Sequence, residues 1–318
     1  MKLIRKLDSF PPELRGGAIT IGNFDGVHHG HRAIMETLKH LAKKTGGPSI
    51  VFTFDPHPVR ILRPEQSPPP LTWTNRKSDL LGALGVDAMI AYPTDLNLLQ
   101  LEYKEFFQKI VVELLGAKAM VEGPNFHFGR HREGNIERLS TLCIENHIQL
   151  DIVSPRESDG DWVSSSRIRK LVQAGEVTTA RQMLTEPYRI RGIVVHGDAR
   201  GKQLGFPTAN LDGIDTLIPG PGVYAGRAKT DSTSWIWSAI HIGPLPTFGK
   251  DESRVEVHLL DFDDSLYGQT LEVEFLDKLR DVRSFADAGQ LKEQIDADVR
   301  GVRDAQRANV NGPTTPES

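Results

Sequence analysis

The stretch AITIGNFDGVHHGHRAIM, residues 18–35, decides the fold of the first half of the chain. A β-prone run, Ala18–Ile21, enters a turn bounded by Gly22 and Gly26, after which Ile34, Leu38 and Leu41 recur on one helical face. Strand, glycine turn and helix in this order open a βαβ unit. A helix N-terminus exposes unpaired N–H groups and the positive end of a dipole, and glycine lets backbone approach an anion, so the turn is a candidate phosphate site. His28 and His31, three apart at the helix start, can both reach one phosphate group and donate hydrogen bonds to charge developing on it. As residues alone they also read as surface polar groups, and two ligands without nearby partners make a poor metal site.

Outward from this unit, β-rich runs at Ile50–Phe54, Ala88–Ala91, Ala119–Val121 and Ile148–Val153 alternate with amphipathic stretches. Together they predict a doubly wound α/β domain around a parallel sheet. Phe106, Phe107, Ile110, Val111, Leu114 and Leu115 predict a helix over 103–115 that stops at Gly116. The segment RPEQSPPP, residues 63–70, is too rich in proline for a regular element and reads as a loop over a site. Two short helices, Arg167–Ala174 and Thr178–Leu184, precede Pro187, where strand-like runs separated by Gly and Pro begin. Runs at Arg189–Val195, Gly222–Ala228, Ser234–Ile242, Arg254–Leu260 and Thr270–Phe275 predict a small antiparallel barrel closed by a helix around Leu291–Val299. The expected division is 1–186, 187–305 and a disordered tail, 306–318.

The 318 residues are 38% hydrophobic and 25% charged, a balance for packed cores rather than disorder or a membrane protein. A net charge of −4 argues against a nucleic-acid partner. The single cysteine, Cys143, excludes an intrachain disulfide, and MKLIRKLDSFPPELR lacks the apolar core of a secretory signal. The expectation is a cytoplasmic protein that binds neither nucleic acid nor membrane.

A second constellation lies in GIVVHGDARGKQLGFPTAN, where Gly197, Gly201, Lys202 and Gly205 form a basic glycine loop before Pro207. Thr208 and Asn210, two apart, project neutral oxygens to one side if extended, which suits a hydrated Mg²⁺ whose negative ligands come from a nucleotide; a plain Thr/Asn turn fits as well. In RVEVHLL, Val255, Val257 and Leu259 share one strand face, leaving Glu256 on the outside, where a solvated glutamate is the ordinary reading.

The string GNFDGVHHGH, with Gly22, Phe24, Asp25 and Gly30 in place, resembles the HxGH signature of nucleotidyltransferases and, more narrowly, the bacterial bifunctional FAD synthetases. The resemblance implies that His28 and His31 lie at the ATP phosphates and support attack on the α-phosphorus. TFDPHP and VEGPNFHFGRHREGN resemble the family's flavin-contacting segments, which implies flavin contacts for Phe54, Asp55, Asn125, Phe126 and Phe128. By residue type, Phe126 and Phe128 fit a core equally well. VSSSRIRKL resembles its phosphate-contacting segment and implies ATP contacts for Ser164, Ser166, Arg167 and Arg169, although an N-cap accounts for one serine. GFPTAN, PGPGVYAG and LYGQ resemble the riboflavin kinase module, implying ATP contacts at Gly197, Gly201, Lys202, Gly205 and Pro207, Mg²⁺ at Thr208 and Asn210, and Glu256 as general base.

Four positions depart from common family residues: Asn125 stands for Asp, His241 for Asn, Leu245 for Arg and Val282 for Glu. The resemblance implies phosphorylation of riboflavin to FMN and adenylylation of FMN to FAD with pyrophosphate released, ATP being the co-substrate of both. A chain with one live activity, or a non-catalytic flavin-binding regulator, are the alternatives, which intact His28, His31 and Glu256 oppose.

Overall fold

The computed structural model describes residues 1–7, 10–158, 160–197, 201, 204–244 and 253–310. By contacts the chain divides into two compact units, Met1–Pro68 with Thr72–Ser165, and Pro69–Leu71 with Ser166–Ser318.

The first unit is built on six strands: β1 (Lys2–Ile4), β2 (Ala18–Ile21), β3 (Ser49–Asp55), β4 (Ala88–Pro93), β5 (Ala119–Glu122) and β6 (Gln149–Ile152). All pair in parallel, in the order β1-β4-β3-β2-β5-β6. The sheet is covered on both faces, which is why its strands are continuous apolar runs. On one face Ile19, Ile21, Ile50, Phe52 and Ile90 pack with Phe106, Phe107 and Ile110. On the other Val51, Met89 and Val121 pack with Met35, Leu38 and Leu41 of α1 (His29–Thr45).

Chain order reverses between β2 and β5, so the carboxyl ends of these strands flank the switch-point crevice where open α/β sheets bind ligands. The helices α2 (Pro58–Leu62), α3 (Thr74–Ala83) and α4 (Leu96–Gln100) follow the early strands. The segment expected to be one helix over 103–115 is α5 (Tyr103–Phe106) running into a π-helix, Phe107–Leu114. Leu115 N–H bonds to the Ile110 carbonyl, five residues back, and the wider turn lets Phe106, Phe107, Ile110, Val111 and Leu115 all be buried. The unit is completed by α6 (Ile136–Glu145) and a short hairpin of β7 (Glu157–Ser158) and β8 (Asp161–Trp162). Within 63–70 only a 3₁₀ turn, Pro64–Gln66, is regular.

The second unit is a closed antiparallel barrel of six strands: β9 (Arg189–Val195), β10 (Ala209–Asp212), β11 (Gly222–Lys229), β12 (Ile236–Pro244), β13 (Ser253–Leu259) and β14 (Thr270–Arg280). The sequence showed five; β10 is four residues long, carries no alternation, and is defined by its partners. Tyr224, Ile240, Ile242, Val255, Val257 and Phe275 are fully buried and fill the interior. The helices α7 (Ser165–Gln173) and α8 (Val177–Met183), placed before the expected division at 186, group by contacts with this unit apart from Ser165. Gly220 N–H bonds to the Val172 carbonyl, and a Cβ at Gly220 would sit 2.4 Å from the Gln173 carbonyl oxygen. The final helix, α9, spans Ala288–Val310 and packs Val299 and Val302 against Trp237, Ala225 and Leu260. It runs through the start of the expected tail; residues 311–318 lie outside the described residues.

Candidate active sites

In the first unit the β2–α1 turn takes a conformation that costs free energy. Phe24 (φ 45°) and Val27 (φ 38°) occupy the left-handed region beside Gly26 (φ 83°). For non-glycine residues each costs about 1–3 kcal/mol and persists only where the surroundings over-determine it. Here they do. Gly26 N–H bonds to Thr72 Oγ1 at 2.9 Å, the Asp25 carboxylate accepts Thr72 N–H at 3.1 Å, Ser165 Oγ donates to the Asp25 carbonyl at 2.8 Å, and Lys77 Nζ donates to the Asn23 carbonyl at 2.6 Å.

The clamped turn delivers the histidines. His28 is the N-cap of α1. Its Nδ1 accepts His31 N–H at 3.3 Å while His31 Nδ1 accepts His28 N–H at 3.4 Å, and the rings stack with centroids 3.6 Å apart. A reciprocal cap through Nδ1 fixes both tautomers with the proton on Nε2, so each ring keeps Nε2–H as a donor without needing a positive charge. A Cβ at Gly30 would lie 3.1 Å from the His28 ring and crowd it, so glycine leaves the imidazole its room. Burial, assisted by charge on His29, holds the His28 imidazole down at about 4; burial first, then His28 and Lys77, push His31 in the same direction. Both rings are therefore neutral at pH 7. The unfolded chain binds a proton at His28 from about pH 6.5 downward and the folded chain only near 4, so stability falls as pH falls through that window, by up to about 3 kcal/mol for this group. Urea midpoints at pH 7 and pH 4.5 are expected to differ less in H28N than in the parent.

At the switch point the β2–β5 ladder ends at Ile19 and Met120, and the buried Glu122 side chain takes over by accepting Ile21 N–H at 2.8 Å. Burial pushes its carboxyl well above the usual carboxylate range, outweighing that bond. Beside these strand ends is a cavity of about 1000 Å³ lined by Gly22, Phe54, Asn125, Phe126, Arg63 and Arg130 among others. Arg63 and Gln66 bring the proline-rich 63–70 segment to its wall.

Several expected contacts are placed differently. Phe24 is buried, its ring edge-on to His31 at 5.1 Å, and supports the histidine. Asp25 is engaged in the turn. The Asp55 carboxylate is held by Thr74 Oγ1 at 2.7 Å and Arg5 at 3.3 Å, away from the cavity lining. Phe128 touches the cavity but is a core residue against Tyr103 and Phe106; half-buried Phe126 stacks on it at 5.4 Å and offers the cavity its exposed side. Ser164 is half-buried, and the serine that bonds the turn is its neighbour Ser165. Ser166, Arg167 and Arg169 group with the second unit, where Arg169 donates to the Pro69 carbonyl at 3.4 Å.

In the barrel, strand register gathers the second constellation. Asn210 pairs with Glu256, and Glu256 with His241, so the three side chains form a row on the outer face of β10, β13 and β12. Glu256 faces outward as its alternation implied, half-buried, with Oε2 3.4 Å from His241 Nδ1 and Oε1 3.7 Å from Arg254. Asn210 is buried, and a Cβ on Gly197 would fall 2.3 Å from its amide nitrogen, so only glycine leaves this cradle open. A Cβ on Gly201 would meet the Phe206 carbonyl oxygen at 2.4 Å and Thr208 Oγ1 at 3.5 Å, which folds the loop back on Thr208. His258 Nδ1 lies 2.8 Å from the Pro207 carbonyl, and Gly205 takes φ 90°. Lys202 and Leu245 lie outside the described residues, and Val282 is exposed.

The donor set around this cradle, an amide and a hydroxyl oxygen beside a carboxylate, is the hard, oxygen-only chemistry that fits Mg²⁺. Among the described residues no group of three His, Cys, Asp or Glu could hold a metal, so nucleotide phosphates would complete such a site. G197A is expected to displace the Asn210 amide and lower activity at this site about a hundredfold without unfolding the barrel, measured by product formation and thermal melting.

A switch-point crevice beside a turn capped by two histidines, and a six-stranded barrel with an outward carboxylate beside a glycine loop, fit a two-module transferase. Residues 10–167 match the FAD synthetase family and residues 184–306 the riboflavin kinase family. Proteins named bifunctional riboflavin kinase/FMN adenylyltransferase are 38% identical in Pseudomonas fluorescens, covering 95% of this chain and 97% of the relative, and 34% identical in Escherichia coli K12, covering 94% and 96%. A crystal structure described as a macrolide-efflux protein from Streptococcus pneumoniae superimposes with a TM-score of 0.84 at 30% identity over 95% of this chain and 99% of that one. The chain belongs to the bifunctional riboflavin kinase/FMN adenylyltransferase family, enzymes of flavin cofactor biosynthesis. No helix among the described residues is long and apolar enough to cross a membrane.

Proposed function

We propose that the two sites act in sequence on one flavin. In the barrel, Glu256 takes the proton of the ribityl 5′-hydroxyl as its oxygen attacks the γ-phosphorus of ATP, and ADP leaves. Thr208 and Asn210 would hold Mg²⁺, which when bound neutralises phosphate charge. Gly197, Gly201, Lys202, Gly205 and Pro207 form the loop along the nucleotide. In the first unit, an FMN phosphate oxygen attacks the α-phosphorus of a second ATP and pyrophosphate leaves. The Nε2–H groups of His28 and His31 donate to the charge that develops, Gly22 and Gly30 keep backbone close, and Phe54, Asn125 and Phe126 receive the flavin in the adjoining cavity.

The observation that carries this reading is the reciprocal His28–His31 cap on the turn whose Gly22 and Asn23 line a cavity of about 1000 Å³. Such a cap leaves two neutral donors aimed by backbone rather than by chance. Ser164, Ser166, Arg167 and Arg169 are assigned to ATP phosphates on the family resemblance. Phe24 and Asp25 are assigned to ATP, and Asp55 and Phe128 to the flavin, on the same resemblance; Phe24 and Asp25 also hold the turn that carries the histidines.

The functional division is assigned near 186, with 187–305 as the kinase. The α7–α8 pair packs on the barrel, so a fragment starting at 187 is expected to lose stability by losing the Val172 partner of Gly220. A cytoplasmic location, without nucleic-acid or membrane partners, fits the composition. The test is incubation of the purified chain with riboflavin, ATP and Mg²⁺, followed by chromatography. FMN followed by FAD is expected; absence of either product overturns the corresponding half.

A further inference from the structure

Lys77 lies on α3, outside every motif of the sequence analysis, and no step above uses it. Its side chain is buried, with Nζ 2.6 Å from the Asn23 carbonyl oxygen and 3.5 Å from Thr53 Oγ1. The carboxylates of Asp25 and Asp55 favour its charge and oppose the effect of burial. A buried ammonium is costly, and an apolar side chain of the same volume would pack there at lower cost, so packing does not account for it.

What Lys77 holds is the entry to the strained turn. The Asn23–Phe24 peptide is planar, so drawing its carbonyl onto Nζ turns its N–H to the opposite side, away from α3. Phe24 then takes its positive φ and sets its ring against His31. The bonds from Thr72 and Ser165 secure Asp25 and Gly26, while the Asn23 carbonyl accepts from Lys77 Nζ at 2.6 Å and from the longer Thr53 Oγ1 contact at 3.2 Å, Lys77 being the charged donor of the two. We propose that Lys77 is a positioning residue of adenylyl transfer: its ammonium pins the Asn23–Phe24 peptide and, through it, the turn that presents His28 and His31 to the ATP phosphates. The inference rests on the assignment of those histidines to adenylyl transfer.

The full-length protein supplies its own control, because the kinase reads folding of the chain independently of this turn. K77M is expected to lower kcat for FAD formation from FMN by at least about a hundredfold, with KM for FMN changed less than about threefold. FMN formation from riboflavin should stay within about twofold of the parent. K77R, which keeps a cation, is expected to recover part of the lost kcat. A K77M protein that makes FAD within about threefold of the parent rate, alongside an inactive H28A, overturns the role of Lys77 and leaves the histidine assignment standing. An H28A protein of parental activity overturns that assignment instead. Should K77M also fail to quench FMN fluorescence, K77R decides: restored transfer supports the proposal, and a K77R protein that binds FMN but stays as inactive as K77M overturns it.

Discussion

H28A is expected to lower FAD formation from FMN by about two orders of magnitude or more while leaving FMN formation from riboflavin intact. In the proposed role, the His28 Nε2–H acts on charge that appears only as the α-phosphorus is attacked, and loss of one such donor costs about 10²–10³ in turnover. Two effects add to it. The His28 ring caps His31 N–H at 3.3 Å and stacks on the His31 ring, so its loss also frees His31 to rotate and change tautomer. Loss of the cap itself costs about 1 kcal/mol of stability, too little to unfold a domain of this size. H28N separates the contributions, since asparagine caps a helix well but does not reproduce the ring stack. The pH profile distinguishes neutral from charged donors. With His28 held at about 4 by burial, transfer should stay level from pH 8 down to pH 6. An imidazolium donor would instead gain activity as pH falls through about 6.5. Parental FAD synthesis by a folded H28A protein would remove the histidine from the mechanism.

The parts of this site that could be read in the sequence are those set by local order. Strand, glycine turn and helix are contiguous from Ala18 to Thr45, and their periodicities survive folding unchanged. What could not be read depends on tertiary neighbours. Nothing marks Phe24 and Val27 as residues of positive φ, because the cost is met by Thr72, Lys77 and Ser165 from distant segments. Nothing in TFDPHP announces that the Asp55 carboxylate is bonded by Arg5, fifty residues away, and by Thr74. Glu122 sits in a run of apolar strand residues with no sign that its side chain replaces a ladder bond. The bond from Ser165 Oγ to the Asp25 carbonyl carried no signal of its own within the run of three serines. In the barrel, alternation placed Glu256 on the outer face correctly, whereas β10 had no pattern of its own and emerged from its register with Val255, Glu256 and Val257. Gly197 was legible as part of a glycine loop; its reason, the Asn210 amide beneath it, was not.

E256Q is expected to lower FMN formation from riboflavin by about two orders of magnitude or more and to spare FAD formation from supplied FMN. The substitution preserves shape and the ability to accept a hydrogen bond, but an amide cannot take the hydroxyl proton, so the attacking oxygen loses its base. General-base catalysis is worth about 10²–10⁴, and the residual rate should fall in that range below the parent. Folding should hold. Glu256 is half-buried on the outer barrel face, while the interior next to it is filled by Val255 and Val257. The contacts removed are a 3.4 Å approach to His241 and a 3.7 Å approach to Arg254, both partly exposed and each contributing about 1 kcal/mol or less. A drop in kinase activity beyond what melting shows is thus attributable to chemistry. His241 gives an internal check, because the family commonly carries asparagine there: H241N should keep a donor toward Glu256 and much of the activity, whereas E256Q in either background stays inactive. The His28–His31 turn and the cavity proposed for the flavin lie in the other compact unit, so FMN supplied directly should be converted to FAD at the parental rate. Unimpaired FMN synthesis by E256Q would remove the carboxylate from the kinase step, and a parallel loss of both activities in a folded protein would overturn the separation of the two chemistries.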